Sequence, residues 1–173
     1  MAVTTNINYL QPTGFGITIN RENYPNLEYF AQAVYHPTVN VSGVELPVRR
    51  TRLSFPGDNI SFGDLNVTFL IDEDMNSYTE MYNWLVRIIQ KNNTTTFKGI
   101  SLGGFDEETV SEIPTECDIT VSMLTSSNNP NKRIRYYNAF PTSVSDIEMT
   151  ATQTDITPLV FTSSFRFAYF EIV

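Results

Sequence analysis

The stretch from 159 to 172 constrains the fold more than any other part of the chain. Phe161, Phe165, Phe167 and Tyr169 fall on one parity, and Val160, Ala168, Phe170 and Ile172 on the other. Side chains of a strand alternate between its two faces, so a strand of this sequence is apolar on both sides, and both sides must meet protein. Such a strand is out of place at the edge of a lone domain. The same period of two recurs along the chain. Phe15, Ile17 and Ile19 alternate with Gly16, Thr18 and Asn20. Leu65, Val67, Phe69 and Ile71 give the clearest case, with Asn66 and Thr68 facing away, and Ile119, Val121 and Met123 repeat it. Further strands are expected over 27–35 and over 133–140, where Ile134, Tyr136, Asn138 and Phe140 would share a face. A last candidate carries Ile147, Met149 and Ala151.

One segment changes period. Tyr78, Met81, Tyr82, Leu85, Val86 and Ile89 recur at spacings of three and four, as one face of an amphipathic helix over about residues 77–90 requires. Ser77 followed by Glu80 reads as a capping box. Asp72, Glu73 and Asp74 precede it on the side that the helix dipole favours for negative charge. The expected fold is therefore mainly β: an antiparallel β-sandwich or partial barrel with one inserted α-helix. Residues 1–13 are expected to be a flexible N-terminal arm. Residues 36–64 hold Pro37, Gly43, Pro47, Pro56, Gly57 and Gly63 and are expected to form a long functional loop, with a basic, β-branched strand arm over 48–53. Residues 92–116 are polar and show no period.

A chain of 173 residues is the size of a single domain, expected to span 1–173 and to bury roughly 70% of the surface its unfolded chain exposes. Eleven basic residues stand against nineteen acidic ones, a net charge of −8. Gripping nucleic acid needs Lys and Arg to neutralise phosphates, so this balance argues against it, while permitting a protein that lies beside DNA without holding it. Cys117 is the lone cysteine, which excludes an intramolecular disulfide. The chain starts without a signal-peptide pattern, and its apolar runs are too short to cross a bilayer, so no membrane insertion is expected.

No residue pattern assembles a reaction. His36 is the sole histidine and sits beside Pro37 without a Gly-X-Ser-X-Gly elbow anywhere in the chain. Cys117 lacks a second thiol for zinc. The acidic runs 72–74 and 106–108 do not have the spacing of a calcium loop. Gly14-Phe15-Gly16 and Gly103-Gly104 lack the remaining residues of a phosphate loop. Arg49, Arg50 and Arg52, with Arg21, form a cationic group in an otherwise acidic chain, and pairing with carboxylates of a neighbour suits it better than phosphate. The expectation is no enzyme, no cofactor and no metal. A carbohydrate-binding β-sandwich using Trp84 and the tyrosines is a remote alternative, and a two-carboxylate glycosidase a weaker one.

Two stretches carry a family resemblance. Phe55-Pro56-Gly57-Asp58, then Phe62-Gly63-Asp64-Leu65-Asn66-Val67-Thr68-Phe69, then Asp72-Glu73-Asp74 and the helix through Trp84 resemble the tail tube proteins of contractile-tailed bacteriophages. Tyr137-Asn138-Ala139-Phe140-Pro141-Thr142-Ser143, Asp146-Ile147-Glu148-Met149 and the closing Tyr169-Phe170-Glu171 resemble the last strands of that family. The resemblance covers about residues 46–173. It implies hexameric rings whose strands join into one ring-wide β-barrel, stacked into a tube through which DNA passes without specific binding. It also implies a surrounding sheath, baseplate and terminator proteins as partners, and a place in the virion tail after assembly in the host cytoplasm. On this resemblance the loop over 39–62 is expected to reach the next ring. Arg49, Arg50, Arg52, Phe55 and Phe62 would then lie between subunits, and Asp146 and Glu148 would face the lumen. A tube initiator, a tube terminator, or the tube of a phage-derived injection system such as type VI secretion are alternatives within the same fold.

Overall fold

The computed structural model describes residues 10–92, 114–152 and 157–173. Its strands are β1 (Phe15–Thr18), β2 (Ala31–Tyr35), β3 (Val39–Val48), β4 (Thr51–Phe62), β5 (Leu65–Leu70), β6 (Cys117–Leu124), β7 (Pro130–Val144), β8 (Val160–Arg166) and β9 (Tyr169–Ile172). Two helices, α1 (Pro25–Tyr29) and α2 (Asn76–Asn92), complete it. One antiparallel sheet runs in the order β1-β6-β7-β8-β5-β2, with β9 joined to the first half of β7, and β3 and β4 form a separate two-stranded ribbon. The sheet does not close into a barrel: among the described residues β1, β2 and β9 each pair on one side alone. Leu65, Val67 and Phe69 on β5 and Phe161 and Phe165 on β8 enclose the core, as the alternation requires, with Trp84 of α2 and Tyr24 buried among them.

Local chemistry explains where the structure departs from the period-two reading. Residues 27–35 begin as a helix, not a strand, because Pro25 occupies its first turn with φ already set; Leu27 is buried and β2 starts only at Ala31. The strand over 133–140 does not keep one face. Asn138 takes φ 52°, and the register slips so that Cys117 faces Ala139 while Ile119 faces Tyr136. Tyr136 and Ala139 are therefore buried, and Asn138 is exposed. Asn tolerates this left-handed conformation better than most residues. The stretch after β7 holds no strand through Ile147, Met149 and Ala151; it is irregular over 145–150.

The doubly apolar C-terminal stretch is two strands, not one. β8 pairs with β5 and the second half of β7, while β9 pairs with the first half. The break at Phe167 and Ala168 lets Phe167 and Phe170, on opposite parities, pack into one aromatic cluster with Tyr136. The helix over 76–92 is rotated relative to the expected face. Met81 and Val86 of that face are buried, but so are Ser77, Trp84 and Arg87 beside it, whereas Tyr82 and Ile89 are exposed. The expected capping box does not form. Asp72 accepts from the Ser77 backbone N–H (3.0 Å) and hydroxyl, and Glu80 instead reaches α1, accepting from Asn26 Nδ2 (2.6 Å) and Leu27 N (3.2 Å). Of the remaining expectations, residues 1–9 of the N-terminal arm, residues 106–108, Gly103 and Gly104 lie outside the described residues.

Candidate assembly interface

Residues 36–64 are not a loop but a long β-hairpin that leaves the domain. β3 and β4 pair in register from Val39↔Phe62 to Val48↔Thr51, and Arg49 and Arg50 make the turn. The strand arm expected over 48–53 is thus centred on the tip. Val44↔Phe55 and Leu46↔Leu53 are opposite pairs, so these four side chains share a face, with Val48 beyond them. They are 56%, 48%, 51% and 48% exposed respectively. The other face of this outer half carries Glu45, Pro47, Arg52, Ser54 and Pro56. The ribbon is amphipathic, yet nothing among the described residues covers its apolar side. Isolated two-stranded ribbons are marginal in water, and both outer edges here have no strand beside them among the described residues. Exposed apolar area of this extent is characteristic of interaction surfaces.

Glycine shapes the arm at two places. The register shifts between Val41 and Gly43, and a Cβ at Gly57 would run into the Ser42 carbonyl on the facing strand. At the root, Gly63 donates its N–H to Thr38 O (2.8 Å), and a Cβ there would lie 2.7 Å from Thr38 Oγ1. Aromatic contacts hold the root to the domain. Phe62 packs on Phe167 and Phe170 with centroids 5.7 and 5.3 Å apart. His36 Nδ1 lies 2.7 Å from Tyr136 Oη, and its ring meets the Phe170 edge at 5.0 Å. Burial lowers the His36 pKa, consistent with a neutral ring accepting from the tyrosine.

The expected interface residues divide along this arm. Arg49 and Arg50 sit at its tip, Phe55 on its bare face and Phe62 at its root. Arg52 pairs with Glu45 of its own hairpin at 3.2 Å, and both are largely exposed. Arg21 pairs with Glu28 of α1. Asp146 and Glu148 are exposed and belong to no strand. Cys117 is half-buried, and burial pushes its thiol up to about 12, so it stays protonated and a poor nucleophile. Sequence reasoning did not find the bare apolar face as such, although Val44, Leu46, Leu53 and Phe55 carried its alternation among the prolines.

The class is that of a mainly β domain whose open antiparallel sheet carries a projecting amphipathic hairpin. The chain belongs to the phage tail tube protein family, whose model matches residues 2–173. The tail tube terminator protein of Enterobacteria phage T4 is 24% identical over 174 residues, covering 95% of this chain and 89% of its own length. The fold is shared with the tube-terminating cap of the anti-feeding prophage (TM-score 0.62, 18% identity), covering 100% of this chain and 99% of that one. It is also shared with the sheath/tube terminator of the extracellular contractile injection system PVC in its extended state (TM-score 0.60, 14% identity), at 97% and 99% coverage.

Proposed function

We propose that this protein is a structural subunit that closes into a ring and ends the tube of a contractile tail. Its partners on this reading are further copies of itself, the last ring of the tube and the sheath around it. It carries out no chemistry, its place is the virion tail, and DNA passes through the ring without being bound. The observation that carries the reading is the hairpin, whose apolar face no described residue covers and neighbouring copies around an axis can. The terminator role, in preference to the main tube subunit, is supported by the similarity to the T4 tail tube terminator and by the two terminator structures of the same fold. Arg49 and Arg50, at the far end of the arm, are its first groups to meet an acidic neighbour.

The test is to replace Leu46, Leu53 and Phe55 together by Asn, Thr and Ser. These side chains are exposed in the monomer, so the variant should keep its circular dichroism spectrum and unfold within a few degrees of the natural protein. It should fail to form rings. A variant that assembles normally would remove the hairpin from the interface.

A further inference from the structure

Resting on that reading, a second feature concerns what the ring does to the polymer that passes through it. The sheet presents two unlike outer faces. On the half made by β6, the first half of β7 and β9, the outward residues include Asp118, Arg133, Arg135 and Glu171, two of them joined as an Arg135–Asp118 pair at 2.7 Å. On the other half, β2, β5, β8 and residues 140–144 of β7 contain a single charged side chain, Arg166. Leu65, Val67 and Phe69 of β5 and Phe161 and Phe165 of β8 point into the core, so Asn66, Thr68, Thr162 and Ser164 point out. These four are tied to one another across the strands: Thr68 Oγ1 lies 3.1 Å from Thr162 Oγ1, and Ser164 Oγ donates to Asn66 Oδ1 at 2.6 Å. Three hydroxyls and one amide oxygen are engaged in these contacts, and none of the four side chains carries a charge. At its end Arg166 Nε donates to Asp64 Oδ1 at 3.4 Å, from the residue just before β5.

We propose that this neutral face lines the bore of the ring, and that Asp64 masks Arg166 so that no free cation there holds a passing nucleic acid. A duplex adheres to protein by exchanging condensed counterions for Lys and Arg. An uncharged wall of hydroxyl, amide and apolar groups, Tyr35 and Val160 among them, offers none, and the charged outer face of the other half-sheet would offer Arg133. Symmetry repeats each exposed cation once per subunit, so one unmasked arginine becomes a ring of them around the axis. Asp64 then acts as a specificity-determining residue through Arg166, without touching the polymer. The pair is 43% and 69% exposed, so losing it changes the field on the face and leaves the fold intact.

The experiment measures retention of a short fluorescent DNA duplex by rings of the full-length chain, purified by size. Natural rings should not retain it at about 50 mM salt. Asp64→Asn rings should, with affinity falling more than about tenfold between about 50 and 200 mM salt as released counterions demand. Asp64→Asn with Arg166→Gln should lose retention again. The inference is overturned if Asp64→Asn rings retain no DNA, if the double variant still does, or if the natural rings already hold the duplex. If no ring forms at all, the proposed function fails first and takes this inference with it; rings that form and ignore Asp64→Asn overturn the inference alone.

Discussion

Trp84 ties three parts of the molecule together. Its indole stacks on Tyr24 at 4.3 Å and 13°, lies 5.8 Å from Phe165 of β8, and donates Nε1–H to Thr115 O at 2.8 Å ahead of β6. Arg87, one helical turn on, places its guanidinium 5.1 Å from the centre of the same Tyr24 ring. Trp84→Ala removes the largest buried side chain and leaves both a cavity and an unpaired carbonyl, so it should cost about 3–5 kcal/mol. Urea unfolding followed by circular dichroism checks this; a loss below about 1 kcal/mol would mean the site collapses around the gap. From sequence, Trp84 lay beside the expected apolar face and not on it. The face was assigned from Tyr78, Met81, Tyr82, Leu85, Val86 and Ile89; Met81 and Val86 are buried, whereas Tyr82 and Ile89 are exposed. Hydrophobic spacing locates a helix but fixes its rotation poorly when apolar residues surround it. His36, read as a surface or packing residue, packs at the root of the hairpin against Tyr136 and Phe170.

Helix α2 starts on Asp72. Its carboxylate accepts from Ser77 N, Ser77 Oγ and Asn76 Nδ2, and these bonds, the Ser77 N–H foremost, hold its pKa down to about 2. A depressed carboxylate pKa stabilises the fold at pH values above the ordinary Asp range and stops doing so as the pH falls through its folded value. Asp72→Asn should therefore lower the urea midpoint at pH 7, and the gap from the natural protein should close as the pH falls from about 4 to about 2. A gap that stays constant with pH would show that shape, not charge, caps this helix. Elements with a long regular alternation were legible in sequence: β5, β6 and the run into β8. The hairpin was hidden by Pro47, Pro56, Gly43 and Gly57. Proline is tolerated at strand edges that need no ladder bond, and a ribbon outside the main sheet consists only of edges. The bend at Asn138 and the break at Phe167 and Ala168 were invisible for a related reason: both are set by tertiary pairing to β6, β8 and β9.

At the scale of the whole molecule, the net charge of −8 and the neutral wall of β2, β5 and β8 act in the same direction, since neither invites a phosphate backbone. The sequence resemblance to tail tube proteins extends to nearly the full chain, as the family match over residues 2–173 shows. Sequence could not separate a tube subunit from a terminator, because this chain's fold is shared with terminator and sheath-tube structures alike. Apolar area on an arm that no described residue covers, together with one-sided strands on an open sheet, is what the proposed ring would cover with neighbouring copies. Electron microscopy of the concentrated, purified chain tests this directly. Single annular particles with a central bore that do not grow into long stacks are expected. Compact monomers at every concentration would contradict it, and long regular tubes would return the chain to the role of main tube subunit.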